Sequence, residues 1–465
     1  MKTWNQLFVR HGWELEKKEE SVFVCKTETV ENMDFLLESL DKAGASYSYG
    51  DDMLMLHSVP VPEKKWIEVV DFKHRGRGEG LWFRPGEEEP KLRELDTYIS
   101  GIVRQLNRLG FYTMGSCDGH ERRDAHVSIK KGKDIEQLVQ MLLALGMRRV
   151  YCREGSESYH VSFPLKRNEL LDIAEKMSLV EESWLEKGHD YIKERMFYHL
   201  LEQLLSIPGE SGKEGKVREF VKEKLTPFVD CITVDRNGNL LAEKTYRAGH
   251  GPTILLNAHL DTVQELESNR VIKKEGAVWS SSNGILGADD RAGVAVLLHI
   301  AEHLMHSSSF SGKVKFIFTV EEECGLIGAR HVDDYFLWGT DAAIVVDRRG
   351  AGDIVVSCGG YIPFCHEAYG KFIEDTAKAE GLSGWHCTNG GSSDTRIWAS
   401  HGIQSVNLSA GYGNEHTENE FLDVEACYNV TKLIKGVFGR ARELRSVLQE
   451  IERKKVVRLI IRKAQ

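Results

Sequence analysis

The sequence has little proline, no long hydrophobic run and no signal-like start. Only 9 of its 465 residues are proline, whereas 43 are glycine. That balance argues against long disordered linkers and suits an α/β protein with many tight strand-to-helix turns. No stretch approaches the ~18 consecutive apolar residues of a membrane-spanning helix. Residues 1–20 carry charges where a signal peptide needs an apolar run, so we expect neither a leader nor a membrane partner.

The chain also lacks closely spaced cysteine pairs and an excess of basic residues. Its nine cysteines are scattered, odd in number and without a CxxC pair, so neither a disulfide framework nor a thiolate zinc knuckle is indicated. The net charge of −10 disfavours a nucleic-acid partner, because phosphate binding needs a basic surface. These features predict a cytoplasmic protein with reduced thiols.

The chain is too long for one ordinary core, and its composition changes along its length. Residues 1–185 alternate short β-like runs with amphipathic helices and are predicted to form an α+β accessory region, as two small sandwiches. Residues 190–448 have an α/β rhythm, and their apolar strands predict a mostly parallel sheet covered by helices on both faces. Residues 449–465 are predicted to be a basic helical tail, docked or solvated rather than bound to a membrane surface.

Acidic residues and histidines of the second region follow its predicted strands. They are His259 and Asp261 after TILLNA, Asp289 and Asp290 in LGADDRAG, Glu321, Glu322 and Glu323 after KVKFIFTV, Asp347 at the end of AAIVVD, and His416 in GYGNEHTENE. Nearly all stand at the carboxyl ends of strands, where open α/β sheets bind ligands. Carboxylates gathered there would repel each other unless cations neutralised them. Imidazoles and carboxylates without a thiolate suit two zinc-type ions, with cobalt or manganese as substitutes.

Each of these residues taken alone has a structural explanation. Acidic residues before a helix cap its first turn and interact with its dipole. An HxD pair after a strand commonly forms a turn, and a single histidine in a polar loop is commonly just exposed. The occurrence of all of them together, each at the end of its own strand, favours a metal centre.

The order of these segments resembles that of the co-catalytic zinc exopeptidases. This superfamily includes di-zinc aminopeptidases, tripeptidase (peptidase T)-like enzymes and acyl-amino-acid deacylases. The resemblance rests on NAHLDTV, LGADDRAGVAVLL, FTVEEECGLIGA, VVD and NEHTENE, within residues 195–445. GADDRAG and EEECGLIGA are most similar to the tripeptidase-like branch. The resemblance implies the zinc exopeptidase fold, two divalent metal ions and hydrolysis of peptides.

It also implies a role for each matching residue. The metal ligands would be His259, Asp289, Glu323, Asp347 and His416. Asp289 would bridge the two metals, and Glu322 would be the general base that activates a bridged water. Asp261 would orient the imidazole of His259. Two points stay open: whether Asp289 or Asp290 is the bridge, and the register within the run of three glutamates.

The spacing of the motifs bears on the substrate. Asp347 and His416 are 69 positions apart and His259 and Asp289 are 30 apart, which leaves no room for the inserted lid domain of many relatives. Without lid residues to grip a substrate carboxylate, recognition of a free amino terminus is favoured. We therefore expect an aminopeptidase acting on short peptides. An N-acyl amino acid deacylase, a carboxypeptidase and, more distantly, an inactive peptide-binding protein are the alternatives.

Two further segments carry polar side chains of interest. Asp394 in GGSSDTR resembles the Gly-Gly-Thr-Asp segment of relatives and is predicted to line the substrate pocket, while Ser392 or Ser393 could cap a helix. In the N-terminal region, Cys117 and His120 of MGSCDGHERRDAH have CxxH spacing, but a metal site would need two further ligands. That region could cover the active site or drive homo-oligomerisation.

Overall fold

The computed structural model describes residues 2–76 and 84–464, with side chains described as far as residue 454. The chain divides into two compact units, Met1–Met196 and Phe197–Gln465. The division falls inside the helix Gly188–Leu205. In the described part of the chain, no helix is both long enough and apolar enough to cross a membrane.

The first unit contains two four-stranded antiparallel sheets. Their strands are β1 (Glu16–Glu19), β2 (Val22–Val24), β3 (Tyr47–Gly50), β4 (Met53–Leu56), β5 (Thr113–Cys117), β6 (Ala125–Lys130), β7 (Tyr151–Glu154) and β8 (Ser158–Phe163). The helices are α1 (Trp4–Arg10), α2 (Val30–Ala43), α3 (Glu63–Val70), α4 (Ser100–Arg108), α5 (Ile135–Ala144), α6 (Arg167–Ser178), α7 (Glu182–Leu185) and α8 (Gly188–Leu205).

The two sheets belong to a repeated arrangement of elements. The strand orders are β1-β2-β4-β3 and β5-β6-β8-β7, and the sequence of elements from α1 to α3 recurs from α4 to α6. Gly12 and Gly110 follow α1 and α4 with φ values of 103° and 80°, and the next residues, Trp13 and Phe111, are buried. One continuous apolar core joins both halves, so the two predicted sandwiches form a single body.

The second unit contains one large sheet and one small one. Its strands are β9 (Cys231–Val234), β10 (Leu240–Tyr246), β11 (Thr253–His259), β12 (Ile272–Glu275), β13 (Val278–Ser281), β14 (Gly312–Thr319), β15 (Ala342–Arg348), β16 (Asp353–Cys358), β17 (Ile362–Pro363), β18 (His386–Gly390), β19 (Gln404–Ser409), β20 (Tyr412–Gly413) and β21 (Phe421–Asp423). Its helices are α9 (Gly215–Leu225), α10 (Ala288–His306), α11 (Ile327–Arg330), α12 (Asp334–Leu337), α13 (Glu367–Ala379), α14 (Asp394–Ser400), α15 (Val424–Gly439) and α16 (Ala441–Ala464), the last of which includes residues 449–464 of the predicted tail.

The large sheet has the order β17-β16-β19-β15-β11-β14-β10-β9, with β18 also paired to β16. Its central strands β14, β11, β15 and β19 are parallel, as predicted. Towards the edges, β9 and β10 on one side and β16 with β17 on the other are antiparallel. The sheet is therefore parallel at its centre and mixed towards its edges.

Both faces of the large sheet are buried, as the apolar strands predict. Ile254 and Leu256 of β11 lie in one apolar core, and Leu255 between them lies in another. Successive side chains of a strand point to opposite faces, so each core covers one face of the sheet. Between residues 259 and 416, all of which are described, the chain forms strands of the two sheets and their connections, without an inserted domain.

Candidate metal centre

The predicted ligands meet at the carboxyl ends of the central parallel strands. His259 is the last residue of β11, the three glutamates follow β14, and Asp347 lies near the end of β15. Asp289 comes from the start of α10, and His416 comes from the loop between β20 and β21. Since neighbouring parallel strands end at the same edge of a sheet, the fold itself brings these side chains together.

Asp289 lies between the two histidines. Its Oδ1 is 3.0 Å from His259 Nε2, and its Oδ2 is 3.2 Å from His416 Nε2. Asp347 Oδ1 lies 3.6 Å from the same His259 nitrogen, and Glu323 Oε1 lies 2.8 Å from His416 Nε2. Each oxygen of Asp289 thus faces a different imidazole, which is the arrangement that a carboxylate bridging two cations requires.

The donor set fits a pair of zinc-type ions. One ligand atom each from His259, Asp289 and Glu323 lies within 4.8 Å of the others, and the same holds for His259, Asp290 and Asp347. Glu323 Oε1 is buried 2.8 Å from His416 Nε2, and it has no other polar partner among the residues that the structure describes. Imidazole nitrogens and carboxylate oxygens are ligands that zinc accepts. The predicted ligands are therefore brought together, and their coordination of metal stays a prediction.

The charges of this cluster strongly perturb the pKa values of its members. Burial raises the pKa of Glu322 to about 10, and the charge of Asp347 adds to the effect. Burial and the charge of Asp289 raise the pKa of Glu323 to about 7. Contact with Asp289 raises the pKa of His416 to about 9. Protons held by these groups offset the repulsion between carboxylates, a task that bound cations would take over.

Asp290 occupies a different position from Asp289. It is fully buried, and its two oxygens accept hydrogen bonds from the backbone N–H groups of His259 (3.2 Å) and Gly293 (2.9 Å). A β-carbon at Gly293 would lie 2.0 Å from the carbonyl oxygen of Val346, so glycine is required for α10 to approach β15 this closely. The contacts of Asp290 tie the start of α10 to β11, which favours Asp289 as the bridge.

Asp261 contacts both His259 and the run of three glutamates that follows β14. Its Oδ1 lies 3.3 Å from His259 Nδ1 and accepts a hydrogen bond from the N–H of Glu322 at 3.0 Å. Its Oδ2 accepts hydrogen bonds from the N–H of Glu323 (3.1 Å) and the hydroxyl of Ser211 (2.8 Å). Burial opposes ionisation, but the contact with His259 lowers the pKa of Asp261 to about 2. These contacts agree with its predicted orienting position.

Sequence reasoning missed two residues that hold the predicted ligands in place. The carboxylate of Glu420, a buried residue, accepts hydrogen bonds from the N–H groups of Gly287 (2.8 Å), Ala288 (2.7 Å) and Asp289 (3.1 Å). The hydroxyl of Tyr412 donates to Asp347 Oδ1 at 3.0 Å. Glu420 lies within the NEHTENE motif, but residue type alone did not separate it from the exposed Glu418 of the same loop.

Asp394 lies behind the cluster. It is only 1% exposed, and its Oδ2 accepts hydrogen bonds from Thr319 Oγ1 (2.5 Å) and Asn257 Nδ2 (3.4 Å). Ser393 caps α14 by accepting a hydrogen bond from the N–H of Thr395, as predicted for one of the two serines. Asp394 therefore offers almost no surface to a ligand, and its predicted role in substrate binding stays untested.

Comparison with known proteins confirms the resemblance for this part of the chain. Residues 239–431 match the model of Peptidase family M28. A putative aminopeptidase of Acetivibrio thermocellus is 24% identical over 278 residues, which covers 41% of this chain and 82% of that protein. Peptidase T of Clostridium botulinum (strain Langeland) is 32% identical over 154 residues, covering 31% of this chain and 37% of that protein.

Other relatives are also matched in part. The uncharacterized protein YqjE of Bacillus subtilis is 29% identical over 173 residues, which covers 36% of this chain and 46% of that protein. The chain thus spans less than half the length of YqjE and of peptidase T. Among solved structures, the aminopeptidase PepT from Bacillus cereus aligns with a TM-score of 0.48 at 19% identity, covering 54% of this chain and 99% of that one.

Proposed function

We propose that the second unit is a metal-dependent aminopeptidase that hydrolyses short peptides. The observation that carries this proposal is the position of Asp289, whose two oxygens face the imidazoles of His259 and His416. The match of residues 239–431 to a peptidase family supports the reaction class. Relatives named peptidase T and putative aminopeptidase support the choice of exopeptidase.

Five residues would hold the two ions, which we expect to be zinc, cobalt or manganese. They are His259, Asp289, Glu323, Asp347 and His416. Bound divalent ions supply Lewis-acid chemistry, in which a peptide carbonyl is polarised and water is made more acidic. Asp261 and Tyr412 keep their partners His259 and Asp347 in position for this task.

Glu322 would move the protons of the reaction. It directly precedes Glu323, and the hydrogen bond from its N–H to Asp261 fixes its backbone beside the cluster. As a carboxylate it would accept a proton from the attacking water, and as an acid it would deliver that proton to the leaving amine. Its pKa, raised to about 10 by burial and by Asp347, reflects the nearby carboxylates; two cations would lower it.

The lack of an inserted domain supports an aminopeptidase over its alternatives. Between residues 259 and 416 the described chain carries no lid from which a cationic side chain could grip the carboxylate of a substrate. A peptide's free ammonium group suits the acidic surroundings of the cluster, where carboxylates outnumber imidazoles. The prediction of a homo-oligomer is a separate proposal, which the oligomeric state in solution would test.

A panel of matched substrates tests this proposal. The same dipeptide would be offered with a free amino terminus, with an acetylated amino terminus and with an amidated carboxyl terminus. An aminopeptidase should cleave the first and third and reject the second. Cleavage of the acetylated form alone would indicate a deacylase, and rejection of the amidated form would indicate a carboxypeptidase. No cleavage of any substrate after addition of zinc, cobalt or manganese would leave only a binding protein.

A further inference from the structure

A second group of metal-binding side chains lies in the first unit. Cys117 is the last residue of β5, His120 lies in the turn that follows, and Asp96 precedes α4. One ligand atom from each of the three lies within 4.8 Å of the other two. The sequence placed only Cys117 and His120 together, and the fold adds Asp96 as a third ligand. Asp96 and Cys117 are buried, whereas the side chain of His120 is 47% exposed.

The imidazole of His120 is oriented by a neighbouring carboxylate. His120 Nδ1 lies 3.3 Å from Asp118 Oδ1, and His120 Nε2 lies 3.7 Å from Asp96 Oδ2. Arg167 holds Asp118 in turn, with Nη2 and Nε at 2.6 Å and 3.0 Å from Asp118 Oδ2. A carboxylate on one ring nitrogen commonly fixes a histidine whose other nitrogen binds metal. This arrangement leaves His120 Nε2 for a cation next to Asp96.

The thiol of Cys117 is surrounded by hydrogen-bond donors. The N–H of Gly119 and the guanidinium of Arg123 both donate to Cys117 Sγ at 3.4 Å. Cysteine binds a metal ion through its sulfur as the thiolate, and these two donors lie where they can hydrogen-bond to that sulfur. Asp96 is 4% exposed, and within residues 2–76 and 84–464 its buried Oδ1 has no hydrogen-bond partner. A buried carboxylate with an unsatisfied oxygen is costly unless something else interacts with it.

The repeat within the first unit shows that this loop is not required by the fold. In the first half, the hairpin β1–β2 is closed by Glu20 and Ser21 alone. In the second half, the equivalent hairpin β5–β6 is closed by the longer segment 118–124. The additional residues include His120 and Asp118, the carboxylate that orients it. The same arrangement of elements thus exists with a short turn, and the longer loop supplies side chains that can bind a metal ion.

We propose that Asp96, Cys117 and His120 bind one zinc-type ion, with the fourth coordination position open to solvent beside His120. A thiolate, an imidazole and a carboxylate suit zinc or cobalt rather than magnesium or calcium, which prefer oxygen ligands. Three protein ligands and an open position are typical of zinc sites that exchange a water or a small ligand. Asp118 is not a fourth ligand, because its oxygens already interact with His120 and Arg167.

Cobalt binding to the full-length, reduced and metal-stripped protein tests this site. A cobalt–thiolate bond gives a charge-transfer absorption in the near ultraviolet, whereas the ligands proposed for the second unit contain no thiolate. We expect this absorption to appear on addition of cobalt and to be lost in Cys117→Ser. The matched control is Cys324→Ser, because Cys324 is an exposed thiol next to Glu323. If cobalt bound to that thiol instead, the absorption would be lost in Cys324→Ser and kept in Cys117→Ser.

The half-exposed His120 provides a second variant that keeps the thiol. His120→Gln should weaken cobalt binding at this site by at least ~10-fold. Loss of a group that supports a metal ligand typically lowers metal affinity by about 10–100-fold, and loss of the ligand itself should lower it at least as much. Circular dichroism would show that both variants fold. An absent charge-transfer band, a band that survives Cys117→Ser, or unchanged affinity in His120→Gln would overturn the proposal. The result is independent of whether the second unit hydrolyses peptides.

Discussion

Glu322 and Glu323 are neighbours in the chain, yet the structure gives them different surroundings. Glu323 Oε1 lies 2.8 Å from His416 Nε2, whereas burial and the charge of Asp347 raise the pKa of Glu322 to about 10. We expect Glu322→Gln to lower kcat by roughly 10²–10⁴-fold, the usual contribution of a general base. Metal content should stay near that of the wild type, because the variant keeps all five proposed ligands.

The matched control for that variant is Glu321→Gln in the same run of glutamates. Glu321 has its backbone N–H bonded to Glu214, and it makes no contact with the histidines of the cluster in the described structure. The control should retain activity. If Glu322→Gln retained most of its activity instead, the proton-transfer role would belong to another residue. Activity and bound metal, measured on the same preparations, decide the question.

Asp289 and Asp290 differ in what their oxygens contact, so their amide variants should differ too. Asp289→Asn should lose both ions of the centre, since each of its oxygens faces a different histidine. Asp290→Asn should keep the ions but lower the stability by about 1–3 kcal/mol, because one of two buried N–H groups loses its acceptor. Metal analysis and urea denaturation measure these effects. The reverse pattern of metal loss would assign the bridge to Asp290.

At the scale of secondary-structure elements, the start of α10 depends on a carboxylate from a distant loop. Glu420 accepts three backbone hydrogen bonds from residues 287–289, which positions Asp289. Glu420→Gln replaces one accepting oxygen by an amide nitrogen, which cannot accept a hydrogen bond. We expect zinc affinity at the centre to fall by about 10–100-fold. Competition with a chelator measures it, with the exposed Glu418→Gln as the control; equal affinity in both variants would count against this positioning role.

The sequence allowed the clustering of these acidic and histidine side chains to be predicted, because the pattern depends on local features. Apolar runs followed by acids or histidines mark strand ends, and the central strands of an α/β sheet end at one edge. Glu420 and Tyr412 could not be predicted in the same way. Their partners are backbone groups or side chains far away in the chain. Neither glutamate nor tyrosine has a sequence preference from which such a contact could be predicted.

The strand directions at the edges of the large sheet were less predictable. The strand β16 is rich in apolar residues like the central strands, so the pattern alone did not separate antiparallel from parallel neighbours. Direction is set by the connection, since a short connection joins β9 to β10 as a hairpin while longer ones cross over. In the first unit the sequence predicted two small sandwiches but not their shared core, because the contacts that join the two halves leave no local pattern.

At the scale of the whole molecule, the first unit should be sensitive to acid. His11 is fully buried there, and burial together with the charges of Arg75 and Arg10 places its pKa well below the ordinary 6.5. The unfolded chain takes up a proton near pH 6.5 and the folded chain does not. The stability contributed by neutral His11 is therefore present above that pH and is lost below it, by up to about 1.4 kcal/mol per pH unit.

A comparison of wild type with His11→Phe isolates this effect. The two proteins must be compared because a second group titrates over the same range. Burial raises the pKa of Glu14 to about 7, so the folded state gains stability from Glu14 as the pH falls through that value, in both proteins. Urea unfolding between pH 7 and pH 5, followed through tryptophan fluorescence, measures both proteins. The wild type should lose more stability over this range than the variant. Parallel pH profiles would show that His11 is protonated in the folded protein.

The central claim is that two cations at the sheet edge of the second unit make this chain a peptidase. It is tested most directly by the hydrolysis of an amino-terminally free dipeptide, measured after chelation and during the return of zinc, cobalt or manganese. We predict that chelation abolishes the activity. The activity should return fully only when both ions of the proposed centre, which Asp289→Asn is expected to lose, are bound again. Activity that survives exhaustive chelation, or metal-loaded protein that cleaves no peptide, would contradict the account.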